Sequence, residues 1–430
     1  MFLWVIFSTL CHAQDRWTKE IVTVPTKPNY AGPGADFKID SKGTVHCCYA
    51  STESTTDTVT YVRWNPSGQQ QLAVLSYNER RSYVPKIALS PSGNPVIAYM
   101  DEGGIKIARY DGMTWNTQTV SSDGHYEWSE LSLAVDSNNK IHLLFNGFNS
   151  QTNLVYLKYT HESATGWESD FFHASGPGPG NHGEYHDLIL SESNEPHIMF
   201  QAVDDWTSPF RLRYAARNSN GQFVIEHISD YNYGDIEMYR EKNGVIHAVH
   251  AVGNSYLAYA RRNLNGVWSD QIVKDPNTNL NIQASIPDLS WEHGNPIVSY
   301  RNNYGYLTTA RLASDAWIVT PFPFYAMPFQ SVVSNDHRGA NGYLVMNRSA
   351  ISLNFDPESH LPAISAGFST PSNFRLDLDH LTPDTVYVLS KSTDLINWSP
   401  VRMISSPNTS FTAVEEKAAN HEYFRIELPD

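Results

Sequence analysis

The sequence predicts an all-β fold, a seven-bladed β-propeller followed by a small β-sandwich. Three observations predict it. A stretch of the type Asp123–Phe145, DGHYEWSELSLAVDSNNKIHLLF, returns in altered form at intervals of roughly 45 to 50 residues. Within each copy, apolar residues alternate with small or polar ones at a period of two, which suits strands packed between neighbouring sheets. The last copy lacks a fourth strand, and the N-terminal segment 17–24 matches the type that is missing.

In chain order, blade one takes strands at 36–40, 45–49, 59–63 and 71–75, with an SKG turn between the first two. Blade two takes 85–89, the SPSGN turn, 96–99, 105–109 and 114–120. In blade three, Leu131, Leu133 and Val135 alternate with Ser132 and Ala134, and Asp136–Lys140 is a turn whose Asx side chains bond their own backbone. The return strand 141–145, a third at 155–159 and a fourth at 166–172 complete that blade. Blade four takes 186–190, the SESNE turn, 197–200, 212–215 and 223–227. Blade five turns at 241–244 and closes with 267–273; blade six turns at 292–295 and closes with 316–320. Blade seven begins near Gln330 and holds 342–346 and 351–355, so 17–24 is expected to close it and remove the open edges of the array.

Residues 1–13 carry the apolar run FLWVIFSTL before Cys-His-Ala, the pattern of a secretory signal peptide without its basic start. The expected division is signal peptide 1–13, propeller 14–362 and β-sandwich 363–430, with export out of the cytoplasm. No stretch is long and apolar enough to cross a bilayer. Cys47 and Cys48 are adjacent, so a long-range disulfide framework is excluded; both read as small buried hydrophobes, with a strained vicinal disulfide or a metal ligand as the alternative.

A net charge of −15 argues against general nucleic-acid binding, which needs a basic footprint. Phosphate loops, dinucleotide fingerprints, G-x-S-x-G elbows and H-E-x-x-H are absent from the sequence. No cofactor is expected and no metal ligand is assigned, although the Asp/Asn turns leave a structural calcium or zinc ion open. His247 and His250 lie three apart in one strand and face opposite ways, against a shared ion. A monomer with a polysaccharide partner is expected.

Propeller topology places the short, stereotyped turns on one face and the long, individual loops and links on the other, and binding residues gather on loops of the second kind. The links there contribute Arg80, Arg81, Tyr83, His125, His182, Tyr185 and His186, and the second-strand ends contribute Asp101, Asn146, Gln201, His250 and Arg301. His, Tyr and Arg with few carboxylates suit β-elimination from a uronate-containing polysaccharide. One group takes the proton at C5, another protonates the leaving oxygen, and Arg, Gln or Asn neutralises the carboxylate.

The repeat resembles those of secreted bacterial propellers, without the Asp-box pattern of sialidases, and 373–430 resembles a small β-sandwich of Verrucomicrobia-like bacteria. With His125 at the start of blade three and Tyr185 at the start of blade four, the chain resembles the propeller-type ulvan lyases, marine enzymes that cut uronate–rhamnose sulfate chains. The resemblance implies catalytic roles for His125, Tyr185, Asn146 and Gln201, and substrate contacts for Arg81, Tyr83, His182, His186, His250 and Arg301. Asn146 and Gln201 stand where the family has a second His and an Arg. Two other classes stay open. A glycoside hydrolase would draw on paired carboxylates from Asp101, Glu127, Asp204, Asp205, Asp235 and Glu237. A non-catalytic glycan-binding propeller needs only aromatic platforms and polar loops.

Overall fold

The computed structural model describes residues 20–23, 31–40, 44–53, 56–64, 70–78, 85–101, 103–122, 131–149, 154–172, 185–202, 210–230, 234–252, 256–276, 278–292, 295–304, 306–313, 316–325, 331–335, 341–347, 350–355, 363–368, 373–379, 386–392, 399–405, 411–416 and 423–427. All regular structure among them is β. Six four-stranded antiparallel sheets follow one another along the chain, each made of four consecutive strands, at 31–78, 86–121, 131–172, 186–229, 236–272 and 284–325. The sequence predicts seven blades, the last closed by 17–24, and six sheets of consecutive strands are found. A further four-stranded sheet is composite: Glu20–Thr23 pairs antiparallel with Ala350–Phe355, beside Asn341–Asn347 and Ser331–Asn335.

The first strands lie side by side in chain order. They are Ala31–Ile39, Lys86–Leu89, Leu131–Val135, His186–Leu190, Ile236–Arg240 and Ala284–Glu292, and Ser331–Asn335 then contacts both the sixth and the first. In the C-terminal region the described strands form two three-stranded antiparallel sheets, Ala363–Phe368 with Asn373–Asp379 and Phe411–Glu416, and Ser399–Ser405 with Val386–Ser392 and Tyr423–Glu427.

The core consists of layers between successive sheets, and the two-residue period assigns side chains to them. Leu143 and Phe145 pack back against Val96, Ala98 and Ile107 of sheet two, whereas Leu144 packs forward against Leu188, Ile198 and Phe200 of sheet four. Both faces of a middle strand are therefore buried. Cys47 and Cys48 are free and fully buried, as small hydrophobes are, and burial raises both thiols far above their ordinary range.

The short turns repeat one device. The Asp136 N–H donates to the Lys140 carbonyl at 2.9 Å, its carboxylate accepts from the N–H groups of Asn138 and Lys140, and Asn139 takes φ 61°. At 191–195 a serine hydroxyl replaces the carboxylate, accepting from Glu195 N–H at 2.9 Å, and Asn194 takes φ 66°. A tighter turn joins the middle strands of sheet two, where Gly104 has φ +108° and a Cβ would lie 2.1 Å from the Ser121 carbonyl oxygen. Gly104→Ala is therefore expected to destabilise the protein by roughly 2–4 kcal/mol through backbone strain and overpacking. An unchanged urea midpoint would refute this.

Candidate functional site at the central channel

Superimposing the repeats by strand register places Asp36, Lys86, Ser132, Asp187, Glu237 and Asp288 at one equivalent position, opposite Cys48, Ala98, Leu144, Met199, Val249 and Ser299. In sheets three, four and five it is the second residue of the first strand, next to the incoming link. A charged residue there departs from the apolar pattern of a middle strand, because the first strands border the axis around which the sheets are arranged. Lys86 Nζ lies 3.9 Å from Glu237 Oε1, a contact between sheets two and five, which are not neighbours. The charges of this ring thus meet across the channel.

Several ring members also tie one sheet to the next. Asp36 Oδ2 accepts from Ile87 N–H at 2.9 Å, Asp187 Oδ2 accepts from Met238 N–H at 2.7 Å, and Ser132 Oγ donates to the His186 carbonyl at 3.1 Å. Each bond satisfies a backbone group on the inner edge of the following sheet. Lys38 Nζ lies 3.8 Å from Asp36 Oδ1. Chiefly because of Asp36, opposed by burial, its ammonium is held more firmly than usual, with further support from Asp288 and Glu237.

Asp187 and Glu237 sit on adjoining first strands, and the charge of Asp187 acts on Glu237. The pKa of Glu237 is raised well above the ordinary carboxylate range, first by burial and then by the Asp187 charge, against the pull of Lys86. That of Asp187 is also raised, by burial, while N–H donation from Met238 and Leu188 works the other way. Glu237 and Lys86 are each about a third exposed, at 31% and 28%. Water therefore reaches both side chains. Two backbone donors favour Asp187 as the anion, whereas the Asp187 charge favours Glu237 in its protonated form.

The residues expected from sequence fall in several places. His125, Arg80, Arg81, Tyr83, His182, Glu127, Asp204 and Asp205 lie outside the described residues. Tyr185, Gln201 and His250 come together in the layer between sheets four and five: the Gln201 N–H donates to the Tyr185 carbonyl at 3.1 Å, and Tyr185 packs against the cluster of Met199, Tyr214 and Met238. Gln201 is wholly enclosed, and among the described residues neither its amide oxygen nor its nitrogen has a hydrogen-bond partner. His250 is enclosed as well, bonded through Nε2 to Asp270 at 2.9 Å.

His186 and Asn146 occupy the preceding layer instead, both about 2% exposed, with His186 Nδ1 2.9 Å from Ser132 Oγ. They line a packed wall and not an open cleft. Arg301 is half-buried on sheet six; Asp101 accepts from Gly103 N–H at 2.8 Å and faces Lys106. Of the carboxylates weighed for hydrolysis, Glu237 belongs to the ring. Asp187 lies within the strand His186–Leu190, outside the long loops on which the sequence places its candidates. Aligning the repeats on their first strands exposes the signal.

A second repeated constellation lies toward the short turns. His46, His142, His197 and His247 each bond through Nδ1 to a tyrosine hydroxyl, of Tyr61 (2.8 Å), Tyr159 (2.6 Å), Tyr214 and Tyr259 (2.5 Å). At His247, Nε2 lies 2.7 Å from a Glu241 carboxylate oxygen, which can only accept, so Nε2 carries a proton. Burial lowers the pKa of all four, that of His197 to about 4. The unfolded chain therefore takes up protons near pH 6.5 that the folded protein refuses, so stability is lost as pH falls from there toward 4. His197→Gln is expected to flatten the decline of melting temperature between pH 7 and 4; an unaltered slope would contradict it. Among the described residues, no three His, Cys, Asp or Glu side chains gather as metal ligands. No described helix is long and apolar enough to cross a membrane.

No protein-family model matches the chain, and no curated protein matches it in sequence. Solved structures resemble it at low identity. The polysaccharide lyase Uly1 is 11% identical, with 80% of this chain and 95% of that one covered and a TM-score of 0.46. The six-bladed fungal lectin of Aleuria aurantia is 14% identical over 68% and 96%, with a TM-score of 0.44. The α-L-arabinanase of Penicillium chrysogenum is 14% identical over 64% and 93%, with a TM-score of 0.46.

Proposed function

We propose that the protein is an exported, monomeric enzyme that cleaves a polysaccharide at the mouth of the central channel, with Glu237 as proton donor and Asp187 as its ionised partner. The composite sheet is the seventh blade in this reading, and 363–430 forms an appended sandwich. The observation that carries it is the placing of Asp187 and Glu237 at equivalent positions of adjoining first strands, with Lys86 3.9 Å from Glu237 across the ring. A carboxylic acid kept protonated near neutral pH can protonate a glycosidic oxygen as the bond breaks, and an adjacent carboxylate stabilises the developing positive charge or activates water. Asp36, Asp187, Glu237 and Asp288 outnumber Lys38 and Lys86, which suits a neutral or weakly charged glycan better than a polyanion.

Elimination from a uronate polysaccharide is the second reading, and one observation favours it. Among the described residues the enclosed Gln201 amide is unsatisfied beside Tyr185, at a cost of roughly 1–3 kcal/mol, and an opening of this layer would let a substrate carboxylate accept from its Nε2–H groups. His125 and Tyr185 would exchange the protons, with Arg81, Tyr83 and His182 holding the chain. Incubation with neutral and uronate polysaccharides separates the readings. New reducing ends without ultraviolet absorbance support hydrolysis, absorbance from an unsaturated product supports elimination, and retention without cleavage reduces the protein to a glycan binder.

A further inference from the structure

At the outer end of the layer between sheets three and four, Tyr159 meets Phe223 edge-on with ring centroids 5.7 Å apart. Asp170, opposite Tyr159 in register, accepts from Arg217 of sheet four at 2.9 Å. The next layer repeats this. Tyr214 meets Trp268 at 5.2 Å, and Glu226, opposite Tyr214, accepts from Arg262 at 2.8 Å and from Trp268 Nε1 at 3.0 Å. An acid and an arginine thus fill a niche beneath the ring pair.

Between sheets one and two the same rings are present, Tyr61 and Trp115 at 4.9 Å, but the fillers are gone. Ala73 stands opposite Tyr61, in the place of Asp170 and Glu226. Tyr110 pairs with Trp115 as Arg217 pairs with Phe223 and Arg262 with Trp268. What remains is a small recess of about 20 Å³, open on one side and lined by Tyr61, Arg63, Ala73, Tyr110 and Trp115. Arg63 lies over the Tyr110 ring, 5.8 Å from its centroid, and forms no ion pair with a carboxylate among the described residues.

We propose that this niche binds the carboxylate end of a uronic acid residue of a glycan, which supplies the acid that Ala73 omits. Arg63 takes the carboxylate through paired N–H donors, and the apolar face of the sugar lies on the half-buried Trp115 and Tyr110 rings at the rim. The site lies on the outer strands, away from the channel ring, so it holds a chain without cutting it. The interaction is independent of the cleavage chemistry proposed above.

The test is calorimetric titration of the intact protein with glucuronate, methyl glucoside and acetate, in wild type and in Glu237→Gln, Arg63→Gln and Ala73→Glu. Glucuronate is expected to bind wild type and Glu237→Gln alike, and methyl glucoside and acetate each roughly tenfold more weakly or worse. Arg63→Gln should lose roughly tenfold in affinity. Ala73→Glu restores the carboxylate of the neighbouring layers, so binding should vanish while the melting temperature holds or rises. No glucuronate binding by folded wild type, equal binding of methyl glucoside or acetate, or undiminished binding in Arg63→Gln or in a folded Ala73→Glu would each overturn the site. Loss of binding in Glu237→Gln would move it to the channel.

Discussion

Glu237→Gln is expected to lower cleavage by roughly a hundredfold to ten-thousandfold, the range that a positioned general acid supplies. The fold should survive, and the direction of the stability change is informative. A carboxyl group whose folded pKa is raised, as burial and Asp187 raise that of Glu237, stabilises the folded state only while protonated; that stability is lost as pH rises through the ordinary carboxylate range toward the raised value. A neutral amide has no such dependence, so at neutral pH the variant should melt no lower than wild type although Lys86 loses its partner 3.9 Å away. A merely structural glutamate would show the opposite, lower stability with full activity in the folded fraction. Wild-type activity should decline as pH rises through the titration of the pair, and a profile identical in wild type and Asp187→Asn would count against coupling. Full activity in folded Glu237→Gln removes the proposed donor.

The second large effect is on stability. Asp36 is 6% exposed, and its carboxylate accepts from Ile87 N–H of the next sheet at 2.9 Å and from its own neighbour Phe37 N–H at 2.8 Å. Asp36→Ala strands a backbone donor at Ile87, itself 1% exposed, and withdraws the anion 3.8 Å from Lys38. The expected loss is roughly 2–4 kcal/mol, since buried donors left without acceptors bear their full desolvation cost. Asp36→Asn keeps an acceptor oxygen and should lose about half as much. Urea denaturation of the three proteins measures this, and an Asp36→Ala midpoint equal to wild type would show that the inter-sheet bond contributes nothing.

The all-β class, the strand positions in each repeat and the turn chemistry were legible in the chain because they are local. A two-residue apolar period fixes strand and face, and Asp136 or Ser191 bonds groups only a few residues away. The pairing of Glu20–Thr23 with Ala350–Phe355 was legible for another reason: a repeat lacking a strand and a segment resembling that strand identify each other across the sequence. Individual histidines were harder to read. His186 and His250, both expected on a binding surface, are enclosed, one beside Ser132 and the other bonded to Asp270, because the parity that decides their layer also buries it.

By itself the sequence determined which residues form strands, where the hairpins turn and how often the unit recurs, since these follow from nearest-neighbour stereochemistry and the periodicity of burial. Only the tertiary structure decided that Lys86 meets Glu237 across the axis, that the Asp187 charge acts on Glu237, and that Ala73 empties a niche filled in two other layers. Those facts depend on distances between residues far apart in the chain. Charge interactions and desolvation act through space, and the register of one sheet against the next sets which groups come close enough to feel them.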